Sequence, residues 1–481
     1  VVPTLKGVFA EPWSLKRVAG LLSAFGPAAI VASVSIGAGE TIVVVSAGAW
    51  AGYDLLWLVL LSVLVKGVFV TYLVGRYTAI SGEYIGHRLV RLPGPRGWLL
   101  IVLIFAELSV APLAWVAIAK PCGDLVHYLF IAQAEGNQLS EALWENILTT
   151  VFIAMAMLFG IRLSFERLEK QQLAICGILV VGTILGTILV EPDYAKALLG
   201  SLNFGNLPTM PEWAPADAIK HPMLTMATAF AYVGGGVFTY IAYSNWVGLH
   251  RWGLTAHDDI ECIQEHAFKS ERIDYLPEDN EQVKRLRQLA APLRWDVGIG
   301  AIVLFIVTAA FMISGAAVLM PLETRFEGWS LLTNQAYVWA NIHSSLVWIY
   351  YVCIIVALWG TLQALPEMYA RVVREFAAAL WPKREWNYDR LKRYICIYVF
   401  ILSTSIIWID VSFDTLIQIA GFILANLAIA VLMPAALYLN YILPPMYRTR
   451  TAVVVGALLS AGILFLFAGI SGWGLALKLF T

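Results

Sequence analysis

The sequence predicts an all-α polytopic membrane protein, made of two inverted five-helix repeats with an eleventh helix appended. Three observations carry that prediction. Of 481 residues, 60 % are hydrophobic and only 14 % are charged, whereas a soluble chain carries about 25 % charged residues. The mean hydropathy of +0.74 and the 18 Trp point the same way. Eleven apolar segments reach the roughly 20 residues that cross a bilayer. The first and sixth of them hold equivalent places in units of five, and both are interrupted by glycine. Such a matched pair marks an inverted-repeat transporter with its site between the breaks. Because five is odd, the second unit enters the membrane in the opposite sense.

The segments centre near Ile36, Leu64, Ala106, Met155, Val180, Val233, Ile306, Ile354, Leu402, Leu427 and Ile463. The first runs from Val18 to Trp50, too long for one straight helix of about 20 residues. The sixth, from Met223 to Val247, is interrupted at Gly234-Gly235-Gly236. The tenth is expected to break near Asn426 and Pro434. The resulting division is a cytoplasmic N-terminus over 1–17, a first repeat over 18–191 and an outer loop over 192–221. A second repeat over 222–443 and an eleventh helix over 444–481 complete it. A charged insert over 250–294 reads as a solvated cytoplasmic loop with a short helix, or as a docking or regulatory element.

Orientation follows from the basic residues. With the N-terminus inside, the outer loops and C-terminus hold only Lys120, Lys196, Lys220, Arg325 and Lys478, and Lys66 lies within a span. The rest of the 32 Lys and Arg fall on the cytoplasmic side. The first span is expected to stay in the protein, since residues 1–20 have no signal-peptide pattern. The expected location is the plasma (inner) membrane. Five scattered cysteines without a Cys-x-x-Cys pair argue against disulfides and metal clusters. The net charge of -1 and the lack of a basic tail give no reason to expect nucleic acid. No nucleophile elbow, phosphate loop or nucleotide fingerprint occurs, so neither an enzyme nor a cofactor is expected. Oligomeric state has no sequence signal.

The chemistry concentrates at the breaks. Gly37-Ala38-Gly39-Glu40 sets a carboxylate beside two glycines in the first segment. Glycine weakens a helix and frees its backbone groups, and a charge at membrane depth is a functional-site hypothesis. Glu40 either caps the second half-helix, where the dipole favours an anion, or binds a cation or a coupled proton. Gly234, Gly235 and Gly236 form the matching break, or else permit close helix packing. Phe238, Thr239 and Tyr240 follow it and would face the same cavity. Lys66 lies midway through the second segment and Glu107 midway through the third. Lys66 is expected to pair with Glu40 or Glu107, as a structural ion pair or as a built-in cation that replaces a coupling ion. Glu107 is a candidate proton relay. Asp296 reads as an interfacial charge at the start of the seventh segment, and His221 and His250 as structural.

The run from Gly26-Pro27-Ala28-Ala29-Ile30 to Gly52-Tyr53, with Leu55-Leu56-Trp57, resembles the first two helices of the Nramp divalent-metal transporters. Arg167-Leu168-Glu169 and the stretch Pro192-Asp193-Tyr194 with Leu198-Leu199-Gly200 resemble that family too. The resemblance covers most of the chain in order and implies the leucine-transporter-type inverted repeat and uptake of metal ions. The family's Asp-Pro-Gly-Asn falls on Gly37, Ala38, Gly39 and Glu40. Its Ala-x-x-Met-Pro-His falls on Gly235-Gly236-Val237-Phe238-Thr239-Tyr240. The Met and His are absent, and Glu107 matches the family's third-helix acid.

Three functions follow. The first is transport of a divalent metal through an oxygen-only site that includes Glu40, suited to a hard magnesium-like ion or manganese. Lys66 opposes this if it lies near, since a like charge 4 Å away costs about 4 kcal/mol at a dielectric of 20. The second is transport of a small organic solute such as an amino acid or carboxylate, which Ile36-Gly37-Ala38-Gly39 could hold on backbone amides. The third is a non-transporting sensor with 250–294 as its output.

Overall fold

In the computed structural model the described residues are 2–3, 14, 17, 20, 25–35, 37, 39–131, 140–270, 272–323, 330–340, 344–409 and 411–480. Ala38 and Arg325 therefore lie outside them. Among the described residues, ten helices are long and apolar enough to span a membrane. A further bent pair brings the number to as many as eleven, as the hydropathy predicts.

That pair is α1 (Pro27–Ser35) and α2 (Gly39–Ala51), bent by 53° at the break. Then come α3 (Leu56–Ser81), α4 (Trp98–Phe130), α5 (Glu141–Arg162) and α6 (Phe165–Val190). The sixth span is split into α7 (Pro222–Tyr232) and α8 (Val237–Leu249). The remainder are α9 (Ala291–Ser314), α10 (Ser344–Leu380), α11 (Tyr388–Ile409), α12 (Phe413–Tyr441) and α13 (Thr451–Phe480). The broken spans form the centre. Every residue of α1 is buried, as is every residue of α8 from Val237 to Val247. By contrast α6 and α13 expose Ile178, Val181, Ile188, Leu458, Leu459 and Phe465, apolar surface that suits lipid.

Two expectations change here. The tenth span does not break. It runs unbroken from Phe413 to Tyr441, and the Asn426 region widens into a π-helical turn over Gly421–Leu427. The Asn426 amide bonds the Ala227 carbonyl of α7 at 3.2 Å and Ser471 Oγ of α13 at 2.8 Å. Pro434 sits inside the helix that follows, where neighbours in a membrane bundle tolerate it. The insert is not a bare solvated loop either. It contains two helices, Ile260–Ser270 and Asn280–Leu289, whose Ala267, Val283 and Leu286 are buried. Gln264 and Tyr275 donate to the Gly82 and Ser81 carbonyls at the end of α3, at 2.7 and 2.9 Å. The insert thus docks across one end of the bundle.

Candidate substrate site at the paired helix breaks

The two breaks meet. At Gly39 an added Cβ would stand 2.3 Å from the Tyr232 ring at the end of α7, so only glycine allows that approach. Gly234 has φ +102°, a backbone region open to glycine and strained for other residues. Between the breaks lies a cavity of about 100 Å³, whose wall includes Gly37, Gly39, Gly234, Gly235, Gly236 and Thr239. Its polar and sulfur-bearing lining also includes Ser35 of α1, Glu107 of α4, Tyr232 of α7, and Thr361, Met368 and Tyr369 of α10.

The three intramembrane charges divide into two settings. Glu40 is fully buried but does not line the cavity. Its two oxygens take the Gly37 amide at 3.2 Å and the Gly234 amide at 3.3 Å. One carboxylate therefore fastens both breaks together. Lys66 is fully buried as well, and it pairs with neither acid. Its ammonium donates to the Phe230 and Ala231 carbonyls at 2.8 and 2.7 Å and lies 5.0 Å from the centre of the Phe230 ring. That is the C-terminus of α7, where the helix dipole favours a cation. Ser62 adds bonds to the Phe230 and Val233 carbonyls. The carbonyls at the end of α7 are thus held by α3. Of the two acids, Glu40 is the one whose field reaches Lys66. Both clamp charges sit in π-helical turns, Gly39–Val44 and Val63–Val70, which often mark functional positions.

Glu107 faces the cavity instead. Its Oε1 accepts from Tyr369 OH at 2.9 Å. Its Oε2 makes no well-formed hydrogen bond, although the Phe238 amide lies near enough to act on the carboxylate. Thr239 Oγ1 contacts Met368 Sδ at 3.4 Å. Phe238 and Tyr240 are fully buried beside the cavity and are not on its wall. Phe238 packs against the rings of Tyr369 and Phe376.

Reasoning from sequence missed two residues. Met368 puts a thioether on the cavity wall, so the lining is not oxygen-only. The available signal was Gly360-Thr-Leu-Gln-Ala-Leu-Pro-Glu-Met, a run of small and polar residues inside a long apolar helix. Asp296 is not interfacial but 2 % exposed. It accepts from the Gly26 and Ala28 amides at 3.0 and 2.9 Å and from Tyr243 OH at 2.9 Å, which caps the start of α1. His250 pairs with Glu169 at 2.8 Å. Among the described residues one group could chelate a metal by geometry alone, His127, Glu141 and Glu145. His127 is 20 residues beyond Glu107, about 30 Å along α4, and Lys120 lies 3.8 Å from Glu145.

Residues 28–480 match the family model described as natural resistance-associated macrophage protein-like, Nramp. The chain belongs to the Nramp family. Its members are transporters, not enzymes, and the chain is accordingly an integral membrane transporter. The fold agrees. A crystal structure of a variant of the Eremococcus coleocola manganese transporter matches with a TM-score of 0.64 at 15 % identity, over 96 % of this chain and 88 % of that one. The same transporter in complex with an aromatic bis-isothiourea substituted compound matches with a TM-score of 0.59 at 15 % identity, over the same shares. Both have the leucine-transporter-type inverted repeat. No curated protein matches the sequence. Within this Nramp chain, Phe238 is buried behind the cavity, while sulfur enters from Met368 of α10.

Proposed function

We propose that the chain is a secondary transporter of a divalent metal ion, manganese or a harder magnesium-like ion, bound at the paired breaks. The observation that carries this reading is the cavity itself: two broken helices enclose about 100 Å³ with the Glu107 carboxylate on the wall. That volume holds an ion with a few waters, each water needing about 30 Å³. It is well below the roughly 300 Å³ at which small-molecule pockets begin. The ligand set would be Glu107, Thr239 and Met368, with water completing the shell. One thioether beside a carboxylate tilts the preference from magnesium toward manganese. Manganese is also the ion named for the structurally similar Eremococcus coleocola transporter.

In this reading Glu40 and Lys66 hold the two breaks in place rather than touch the ion. The end bearing the insert, the start of α1 and the α12–α13 turn faces the cytoplasm of the plasma membrane, because it carries most of the basic residues. The test is uptake of manganese and magnesium into proteoliposomes, beside a panel of amino acids and carboxylates. Metal uptake that is lost in Glu107→Gln supports the site. Uptake of an organic solute with no metal response would replace the metal reading with a solute reading.

A further inference from the structure

A second cavity, of about 330 Å³, opens at the end of the bundle where the insert docks. Arg76 near the end of α3, Arg287 of the Asn280–Leu289 helix, Arg294 near the start of α9, and Arg448 and Arg450 before α13 line it. No carboxylate lies on its wall. None of the five guanidinium groups forms an ion pair with an acid among the described residues. Those that are bonded use neutral groups. Arg76 donates to Asn440 Oδ1 at 2.7 Å and to the Tyr447 carbonyl. Arg287 donates to the Met446 carbonyl, and Arg448 to the Leu443 carbonyl at 3.3 Å. The neutral Tyr72 phenol on the same wall partners Arg76, and the fields of Arg294 and Arg287 also act on that guanidinium, so the fold holds like charges together with no carboxylate on the cavity wall to offset them.

A generic positive belt at a membrane surface would be scattered and lysine-containing. Here all the charges are arginine, the planar fork that grips phosphate through two parallel bonds, and they line one cavity, Arg76 half-buried at its base and the other four open to water. The start of α13, a helix of 30 residues, reaches the same cavity through Thr449, Arg450 and Val453. Its positive dipole end favours an anion. Ile80, Leu293 and Val453 give the cavity an apolar flank.

We propose that this cavity binds a phosphate-bearing anion, which ties α3, the insert and α13 together. The chemistry is shared by an anionic phospholipid headgroup and a soluble phosphate, and the proposal is independent of what the central site carries. The test uses the full chain, stripped of lipid in a neutral detergent. Binding of short-chain phosphatidylglycerol, phosphatidylcholine, inorganic phosphate and glycerol phosphate is measured by native mass spectrometry and by shifts in Tm. The variants are Arg294→Gln/Arg450→Gln, which removes two guanidiniums that make no described hydrogen bond, and Lys383→Gln, an exposed charge outside the cavity. Each lost arginine is expected to weaken binding about tenfold, with Lys383→Gln unchanged. Preference for phosphatidylglycerol identifies a lipid site, and binding of the soluble phosphates identifies a soluble ligand. Absence of binding by the wild type, or equal binding by the double arginine variant, overturns the proposal.

Discussion

Glu40 and Glu107 are acids in the middle of apolar spans, both buried, both beside the same pair of helix breaks, and they have different surroundings. Glu40 has two backbone amides in front of it, one from each break, and the Lys66 charge in its field. Glu107 has one phenol bonded to one oxygen, and it borders open volume. A carboxylate whose oxygens are taken up by the fold stabilises the fold. One that keeps an oxygen toward a cavity can still take a ligand. The difference teaches that depth and burial do not identify a site. The partners that remain unassigned do.

The comparison breaks most visibly if the clamp is not structural. Lys66→Met leaves the Ala231 carbonyl buried without its partner and removes the cation from the end of α7. Such a loss costs about 1–3 kcal/mol, so thermal unfolding in detergent should show a clear drop in Tm and yield. A Lys66→Met protein with wild-type Tm and full transport would remove Lys66 from the clamp. The cavity side predicts the opposite pattern. Glu107→Gln keeps size and a hydrogen-bond acceptor, so Tm should change little. Calorimetric affinity for manganese should fall about a hundredfold, near 2.7 kcal/mol. Unchanged binding would take Glu107 out of the metal site.

Hydropathy made the spans legible because crossing a bilayer needs length and apolarity, which are local properties of sequence. The breaks were legible for the same reason, since Gly37, Gly39 and Gly234 to Gly236 state a backbone requirement on their own. What was not legible is the direction each side chain faces. Successive helix positions turn about 100°, and the bend at the first break leaves the register of Glu40 unfixed by the residues before it. Lys66 was expected to seek a carboxylate. The sequence has no mark for the open carbonyls at the end of α7, which appear only once Gly234 stops that helix. Asp296 looked interfacial because it begins a span, but α1 starts beside it and supplies amides. Met368 reaches Thr239 across 129 residues of chain, a contact that no local pattern encodes.

Asp296 sharpens the clamp class, because it is a second buried acid whose oxygens are taken by amides. Asp296→Ala should lower stability by about 2 kcal/mol, the upper end for losing an N-cap, with manganese affinity unchanged by calorimetry. A loss of affinity at constant Tm would instead tie α1 capping to the ion site.

The smallest effect tests the cavity side most finely. Met368→Leu conserves volume and should cost less than about 1.5 kcal/mol, and Thr239 loses only a weak acceptor. What changes is the donor. Leucine offers no lone pair, so a site that used the thioether is left with oxygen ligands alone, and oxygen does not favour manganese over magnesium as sulfur does. Competition uptake in proteoliposomes should therefore show the manganese-to-magnesium ratio falling several-fold, while magnesium transport alone stays near the wild-type rate. A fall in both ions together would point to packing around Tyr369 and Glu107. An unchanged ratio would return the site to oxygen ligands only, and Met368 would then be wall rather than ligand.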